Sequence, residues 1–313
     1  MRKCCIFGLG YIGLPTSVLI ANSGVEVIGI DINKNIIDRI NKKDPHITEP
    51  GLKELLNNVV DSKLLKAQKE VINSDIYIIA VPTPLKMGDS KFPIPNLDYV
   101  FEAAKSISKV IKENDLIILE STSPVGTTKK ISKIISDLSG INPNKFHAAY
   151  CPERVLPGNI IFELINNNRI IGGLTKKASD KAEAFYKLFV KGNIFKTNSK
   201  TAELTKLSEN AYRDVNIAFA NELSMVADDF GINSKELISL ANYHPRVNIL
   251  NPACGVGGHC IAVDPWFIVY ENKLSTPLIQ QSRHVNKFKT RWVIKKIDSF
   301  LEDLSLKKIT PFK

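Results

Sequence analysis

No uninterrupted apolar run in the 313 residues approaches the ~18 that a membrane-spanning helix needs; Ile76–Val81 and Leu116–Leu119 are apolar but only strand-length. An export signal is not expected either. Met1-Arg2-Lys3 is basic, but the apolar stretch Cys4–Phe7 ends at Gly8, short of the ~7–15 residues such a signal requires. The expected location is therefore the cytoplasm, away from membranes. Cysteine is scarce and odd in number, five in all with Cys4 and Cys5 adjacent, which argues against a secreted disulfide framework and leaves room for a reactive thiol. Arginine is scarcer than the charge suggests: net charge is +10, yet only eight of the 42 basic side chains are Arg, and the basic residues are scattered. Nucleic-acid readers favour clustered Arg for bidentate contacts, so nucleic acid is not an expected partner. Repeats and low-complexity segments are missing, and 44% hydrophobic with 24% charged residues is the composition of an ordinary globular protein.

A length of 313 residues suggests two domains. In the first half, strand-like runs (Lys3–Phe7, Val25–Asp31, Asp75–Val81, Asp115–Glu120, Phe146–Tyr150) alternate with helical patterns around Ile12–Ser23, Leu97–Ile111 and Thr127–Leu138. That alternation predicts an α/β fold, a doubly wound Rossmann-type parallel sheet with crossover helices on both faces. Arg169–Gly173 and Gly192–Lys196 add two strands around a helix Ser179–Lys191. Beyond Thr197 the pattern becomes helical. Ala202–Phe230 keeps a 3.6-residue apolar repeat without Gly or Pro, which predicts one long helix stopped by Gly231. Ser234 reads as the N-cap of a second helix to Asn242. A glycine-rich loop, Asn251–Asp264, precedes further helices to about Leu304, and the last residues read as the beginning of another strand.

Gly8-Leu9-Gly10-Tyr11-Ile12-Gly13 ends a predicted strand and opens a predicted helix. Gly8 permits the tight turn, Gly10 lets the backbone approach a pyrophosphate, and Gly13 lets the helix pack close to the sheet. Asp31 closes the next strand 18 residues past Gly13, where a carboxylate binds the ribose hydroxyls of NAD and repels the 2′-phosphate of NADP. Val81-Pro82-Thr83-Pro84 and Glu120-Ser121-Thr122-Ser123-Pro124 sit at strand ends on the cofactor edge, and read equally as turn chemistry or as cofactor contacts. Lys206 and Asn210 share a helix face, a pairing that can stabilise an oxyanion or form a solvated polar stripe. In Asn251-Pro-Ala-Cys254-Gly-Val-Gly-Gly258-His259-Cys260, the glycines before Cys260 allow a substrate to approach a thiolate, with Asp264 one helical turn further on. A zinc site using His244, Cys254, His259 and Cys260 and a merely buried Cys are the competing readings; no metal is expected, because the spacing is wider than zinc sites favour. In Cys151-Pro152-Glu153-Arg154, Glu153 is either a general base or the ion-pair partner of Arg154.

Together these segments resemble the UDP-glucose/GDP-mannose dehydrogenase family, the nucleotide-sugar 6-dehydrogenases that oxidise a UDP- or GDP-sugar to its uronate. The resemblance covers nearly the whole chain. It is carried most specifically by Asn210-Ala-Tyr-Arg-Asp-Val-Asn-Ile-Ala-Phe-Ala-Asn-Glu222, His244-Pro-Arg-Val-Asn-Ile-Leu250 and Gly255-Val-Gly-Gly-His-Cys260-Ile-Ala-Val-Asp-Pro-Trp266. The last form looks most like the branch that oxidises UDP-N-acetyl-D-mannosamine. The resemblance implies a four-electron oxidation with NAD in which Cys260 forms a thiohemiacetal and then a thioester. It implies that Lys206 and Asn210 stabilise the oxyanion, that Asp264 and Thr122 position water or move protons, and that Glu153 serves the hydrolytic stage. Cofactor contacts are implied for Gly8, Gly10, Tyr11, Ile12, Gly13, Asp31 and for Val81, Pro82, Thr83 and Thr122. Substrate contacts are implied for Glu153, Arg154, Lys206 and Asn210, and for Arg213, His244, Arg246 and Gly257, with Arg246 reaching the diphosphate from a partner subunit.

Two departures accompany the match. Pro157 replaces a second acidic residue of UDP-glucose-type members, which points away from UDP-glucose. The family's further C-terminal domain, on the order of 100 residues, has only its beginning here. The expected organisation is a NAD-binding domain over 1–197, an α-helical central domain over 198–305 with a homodimer through the long helix, and the start of a C-terminal domain over 306–313. The rivals are a two-electron hydroxyacid dehydrogenase, which needs no Cys260, and a non-catalytic NAD-binding fragment.

Overall fold

The computed structural model describes residues 3–87 and 92–306. The chain forms two compact units, Met1–Met87 with Pro95–Lys206 and Gly88–Ile94 with Leu207–Lys313. The C-terminal residues read as an incipient strand lie almost wholly outside the described residues.

The first unit is built on one sheet. Its strands are β1 (Lys3–Phe7), β2 (Glu26–Ile30), β3 (Leu65–Gln68), β4 (Ile76–Ile79), β7 (Leu116–Leu119), β8 (His147–Tyr150), β9 (Arg169–Gly173) and β10 (Ile194–Asn198); β5 (Leu85–Met87) and β6 (Pro93–Pro95) are not part of it. The spatial order is β10-β9-β8-β7-β4-β1-β2-β3. The centre is parallel because β1, β4 and β7 are apolar at almost every position and so bury both faces, which only crossover helices can cover. Side chains alternate between the faces. Cys4, Ile6, Ile76, Ile78, Leu116 and Ile118 belong to one core with α1 (Gly13–Asn22) and α3 (Leu52–Asp61). Cys5, Phe7, Tyr77, Ile79, Ile117 and Leu119 belong to the other with α4 (Asp98–Ser108) and α5 (Thr127–Ser139).

The mostly parallel sheet has one antiparallel seam. β9 runs antiparallel to β8, with Ala149 opposite Gly173 and Tyr150 opposite Gly172, and β10 then runs parallel to β9. The link between them, with the short α6 (Ile160–Asn166), re-enters the sheet at the edge where β8 left it, so Arg169 begins beside the end of β8. Elements additional to the sequence reading include β3, α6 and the pair α2 (Lys34–Asn41) and α3. β3 carries only Leu65 and Ala67 inward, and α2 buries only Ile40, so neither leaves a strong apolar signature. The helix expected over Ser179–Lys191 is α7, Lys176–Tyr186, capped by the Thr175 hydroxyl accepting from the Ala178 amide.

The long helix is α8, Ser199–Asp229. Its first residues, up to Lys206, group with the sheet unit and the remainder with the helical unit. The helical unit continues with α9 (Ser234–Ala241), α10 (Asp264–Glu271) and α11 (Pro277–Leu306). The cap of α9 is Asn233 instead of Ser234: its side chain accepts from the amides of Lys235 and Glu236, a geometry Asn favours as strongly as Ser.

Candidate active site

In the sheet unit, the glycine turn is formed as its residue types require. Gly8 sits at φ +87°, and its amide donates to the Ile30 carbonyl at 2.8 Å. A Cβ on Gly13 would collide with the Gly8 carbonyl, so α1 starts against the strand it follows. Nothing lies within 4 Å of where a Gly10 Cβ would be, so that face of the turn is open to a ligand approaching the start of α1. Asp31 ties this turn to the next strand: its carboxylate accepts from the Leu9 amide and from the Asn33 amide, each at 2.9 Å. Tyr11 is exposed and Ile12 leads into α1. These features fit a dinucleotide, with the pyrophosphate at Gly10 and the adenosine ribose at Asp31.

The loops after β4 and β7 are stitched together. Thr83 Oγ1 donates to the Thr122 carbonyl and Ser121 Oγ to the Val81 carbonyl, both at 2.7 Å. The loop holding Val81, Pro82 and Thr83 is therefore joined to the one holding Thr122. Glu203, at the start of α8, fixes these loops to the helix. Its carboxylate accepts from the Gly126 amide at 2.6 Å, the Thr128 amide at 2.8 Å and the Thr128 hydroxyl at 2.6 Å. It thus supplies the anion that the N-terminus of α5 favours, and Lys206 follows three residues later. Lys206 and Asn210 are 8% and 7% exposed, which removes the solvated-stripe reading.

The Arg154 guanidinium donates to the Asn168 carbonyl at 2.5 Å, while its backbone amide and its charge both act on Glu153. The ion-pair contact of Glu153 is Arg169, which also lies 3.9 Å from Glu120. Arg169 stands over the Tyr186 ring at 4.4 Å, and the Tyr186 hydroxyl donates to Glu120 at 2.6 Å. Burial, reinforced by the charge of Glu153, pushes the Glu120 carboxyl up to about 8, against the pull of Arg169 and Tyr186. Burial also raises Glu153, opposed by Arg169. Burial thus holds both carboxyls above the ordinary carboxylate range, with the guanidinium against Glu153. Sequence reading singled out neither Arg169 nor Tyr186, and placed Glu120 at a strand end without a role of its own.

In the helical unit, the amide of Asn210 donates to the Asp264 carboxylate at 2.6 Å, and both side chains are buried. Cys260 heads the turn into α10: its carbonyl accepts from Val263 at 3.0 Å and from Asp264 at 2.9 Å, the one-turn spacing expected between Cys260 and Asp264. Cys254 and Cys260 are exposed, so the buried-cysteine reading does not hold for either. Among the described residues no three His, Cys, Asp or Glu side chains form a group able to hold a metal ion. Arg213, His244, Arg246 and Gly257 are exposed, and His244 Nδ1 accepts from the Arg246 amide at 3.3 Å.

A glycine turn before α1 with an acid just after β2 defines a dinucleotide-binding α/β domain. The chain belongs to the UDP-glucose/GDP-mannose dehydrogenase family: residues 2–190 match its NAD binding domain and residues 200–288 its central domain. NAD is accordingly the cofactor. The chain is 53% identical over 311 residues to the UDP-N-acetyl-D-mannosamine dehydrogenase of Campylobacter jejuni, covering 97% of this chain and 76% of that protein. It is 50% identical to an NDP-N-acetyl-D-galactosaminuronic acid dehydrogenase of Ralstonia nicotianae, covering 95% and 71%. Among solved structures, the UDP-D-ManNAc dehydrogenase of Pyrococcus horikoshii superposes with a TM-score of 0.91 at 42% identity, covering 99% of this chain and 73% of that one. No helix among the described residues is long and apolar enough to cross a membrane.

Proposed function

We propose that the chain oxidises the C6 hydroxyl of UDP-N-acetyl-D-mannosamine to the carboxylate, a step in making polysaccharide precursors in the cytoplasm. The observation that carries this reading is the Cys260 turn, with an exposed thiol and a following carboxylate, Asp264, bonded to the Asn210 amide at 2.6 Å. NAD, which the Gly8–Gly13 turn and Asp31 would hold, would accept one hydride in each of two oxidations of C6, with a second NAD replacing the first NADH. Cys260 adds to the aldehyde between the two oxidations, forming a thiohemiacetal that becomes a thioester, and water then releases the acid. Lys206 and Asn210, one turn apart on α8, stabilise the oxyanion. Asp264 and Thr122 hold water or move protons, and Glu153, oriented by Arg169, serves the hydrolysis. Arg154, Arg213, His244, Arg246 and Gly257 contact the substrate. Identity of about half the positions to UDP-N-acetyl-D-mannosamine dehydrogenases supports the sugar.

The deciding experiment counts NADH per UDP-N-acetylmannosamine consumed by the purified chain. Two per substrate is expected; one would make this a two-electron dehydrogenase, and none with NAD still bound by calorimetry would leave a cofactor-binding fragment. UDP-N-acetylgalactosamine run beside it should be turned over at least tenfold more slowly, roughly the discrimination that 1.4 kcal/mol gives; equal rates would overturn the sugar assignment.

The cofactor contact at Asp31 makes its own prediction. Asp31→Asn should weaken NAD about tenfold or more, as a lost charge-assisted hydrogen bond does, and should narrow the preference over NADP. Titration with both cofactors checks it, and an unchanged preference refutes the role. The long helix supports a homodimer, because Tyr212, Phe219 and Val226 recur every seven residues and are exposed. Light scattering reading a monomer mass would remove that part.

A further inference from the structure

The stretch that leads into the Cys260 loop is pinned at three consecutive residues. The Ala253 amide donates to Asn221 Oδ1 at 2.8 Å. The Cys254 carbonyl accepts from the Thr290 hydroxyl at 2.6 Å. Gly255 lies at φ +132°, and a Cβ there would collide with Thr290 Oγ1 and sit 3.1 Å from the Asn286 carbonyl. The backbone therefore runs flush against α11 at a place only glycine allows.

Behind Asn221 stands a buried chain of polar groups. Asn221 Nδ2 donates to Asn286 Oδ1 at 2.8 Å, and Asn286 Nδ2 donates to the Asp214 carboxylate at 2.8 Å. Arg283 closes the chain on Asp214 at 2.5 Å. Asp214 and Asn221 are fully buried, and Asn286 and Arg283 nearly so. The order has a direction. An ionised carboxylate only accepts, so it draws the NH2 end of Asn286 and turns that residue's oxygen toward Asn221. Asn221 must then present its NH2 to Asn286 and its oxygen to the loop. The charge at Asp214 thereby dictates which group meets Ala253. A network of this kind adds little net stability over apolar packing, and what it adds is a unique arrangement.

We propose that Asn221 and Thr290, with Asn286 behind Asn221, are positioning residues that set where the Cys260 thiol stands. The inference rests on the reading of Cys260 as the nucleophile. Upstream, residues 253–255 are fixed to α8 and α11; downstream, the Cys260 carbonyl is fixed by the Val263 and Asp264 amides. Only Val256, Gly257, Gly258 and His259 lie between the two anchors, so a slip at the first displaces the thiol directly.

The test is Thr290→Val beside Thr290→Ser. Thr290 is exposed, so neither substitution threatens the fold, and valine keeps the shape while losing the donor. Two readouts are taken: the rate at which iodoacetamide alkylates Cys260, resolved from Cys254 by peptide mass spectrometry, and kcat with KM. Valine should change the alkylation rate of Cys260 and lower kcat roughly three- to tenfold, the scale of one hydrogen bond, with KM held. Serine should restore both. Asn221→Ala should act in the same direction and further; if it fails to fold, the Thr290 pair decides alone. Valine behaving as wild type in both readouts overturns the proposal. Alkylation needs no turnover, so a chain in which Cys260 is not the nucleophile is recognised separately, by a Cys260→Ser variant that still forms acid.

Discussion

A Cys260→Ser chain should bind NAD as the native chain does and lose uronate formation on the order of 10³-fold or more, the scale of removing a covalent nucleophile. The thiolate is the attacking species, and a serine hydroxyl is hardly ionised at neutral pH without a dedicated base. The buried cysteines cannot easily substitute. Cys4 and Cys151 are wholly buried, and burial pushes both thiols up, so neither supplies thiolate. Cys5 is buried too, with its thiol within 3.2 Å of the Ser74 hydroxyl. The assay is separation of the sugar acid by anion exchange together with NADH absorbance. Full turnover in the variant would end the covalent mechanism, whereas aldehyde or a single NADH per substrate would place the block after the first oxidation.

The parts of this site that were legible in the sequence are those set by local chain geometry. Gly8 and Gly13 are needed within one turn of each other, and Asp31 follows from the length of a single βαβ unit. Cys260 and Asp264 are four residues apart and meet through one turn. What was not legible depends on topology. Arg169 opens an ordinary-looking strand, and only the antiparallel seam between β8 and β9 returns it to the end of β8, where Glu153 lies. The Asp214, Asn221, Asn286 and Arg283 network joins helices some 70 positions apart. Its one sequence signal was available: Asp214 and Asn221 are seven residues apart on α8, and Arg283 and Asn286 three apart on α11, so each pair puts polar groups on one helix face. The edge strand β3 was missed for a different reason, since alternating burial over four residues with Lys66 outward is close to what a loop shows.

Arg169 is the residue whose loss should most damage the sheet unit, and the damage should depend on pH in a defined sense. Its guanidinium contacts Glu153, lies 3.9 Å from Glu120 and stacks on Tyr186, with all of these side chains largely buried. Arg169→Met keeps the volume but leaves two buried carboxyls without the guanidinium, with the Tyr186 hydroxyl still donating to Glu120 and the Arg154 amide to Glu153. Removing one partner of a buried ion pair costs about 3–5 kcal/mol. The carboxyls escape part of that cost by staying protonated in the folded chain, while in the unfolded chain they ionise near their ordinary value. Between those two values the folded state binds more protons, so stability falls as pH rises. The same sign holds in milder form for the native chain. Glu120 is pushed up to about 8 from 4.5, mainly by burial, so its contribution is complete below about 4.5 and is lost as pH climbs toward 8. Glu120→Gln, which keeps an oxygen for Tyr186 and cannot ionise, should flatten that part of the native slope. Melting temperatures at pH 5.5 and 8.5 for the three chains test this together. The Arg169→Met deficit should be smaller at the lower pH, and Glu120→Gln should lose less stability than the native chain between the two. A deficit equal at both pH values would mean that the carboxyls carry no uncompensated charge, and the account of two carboxyls held above the ordinary range by burial would fall with it.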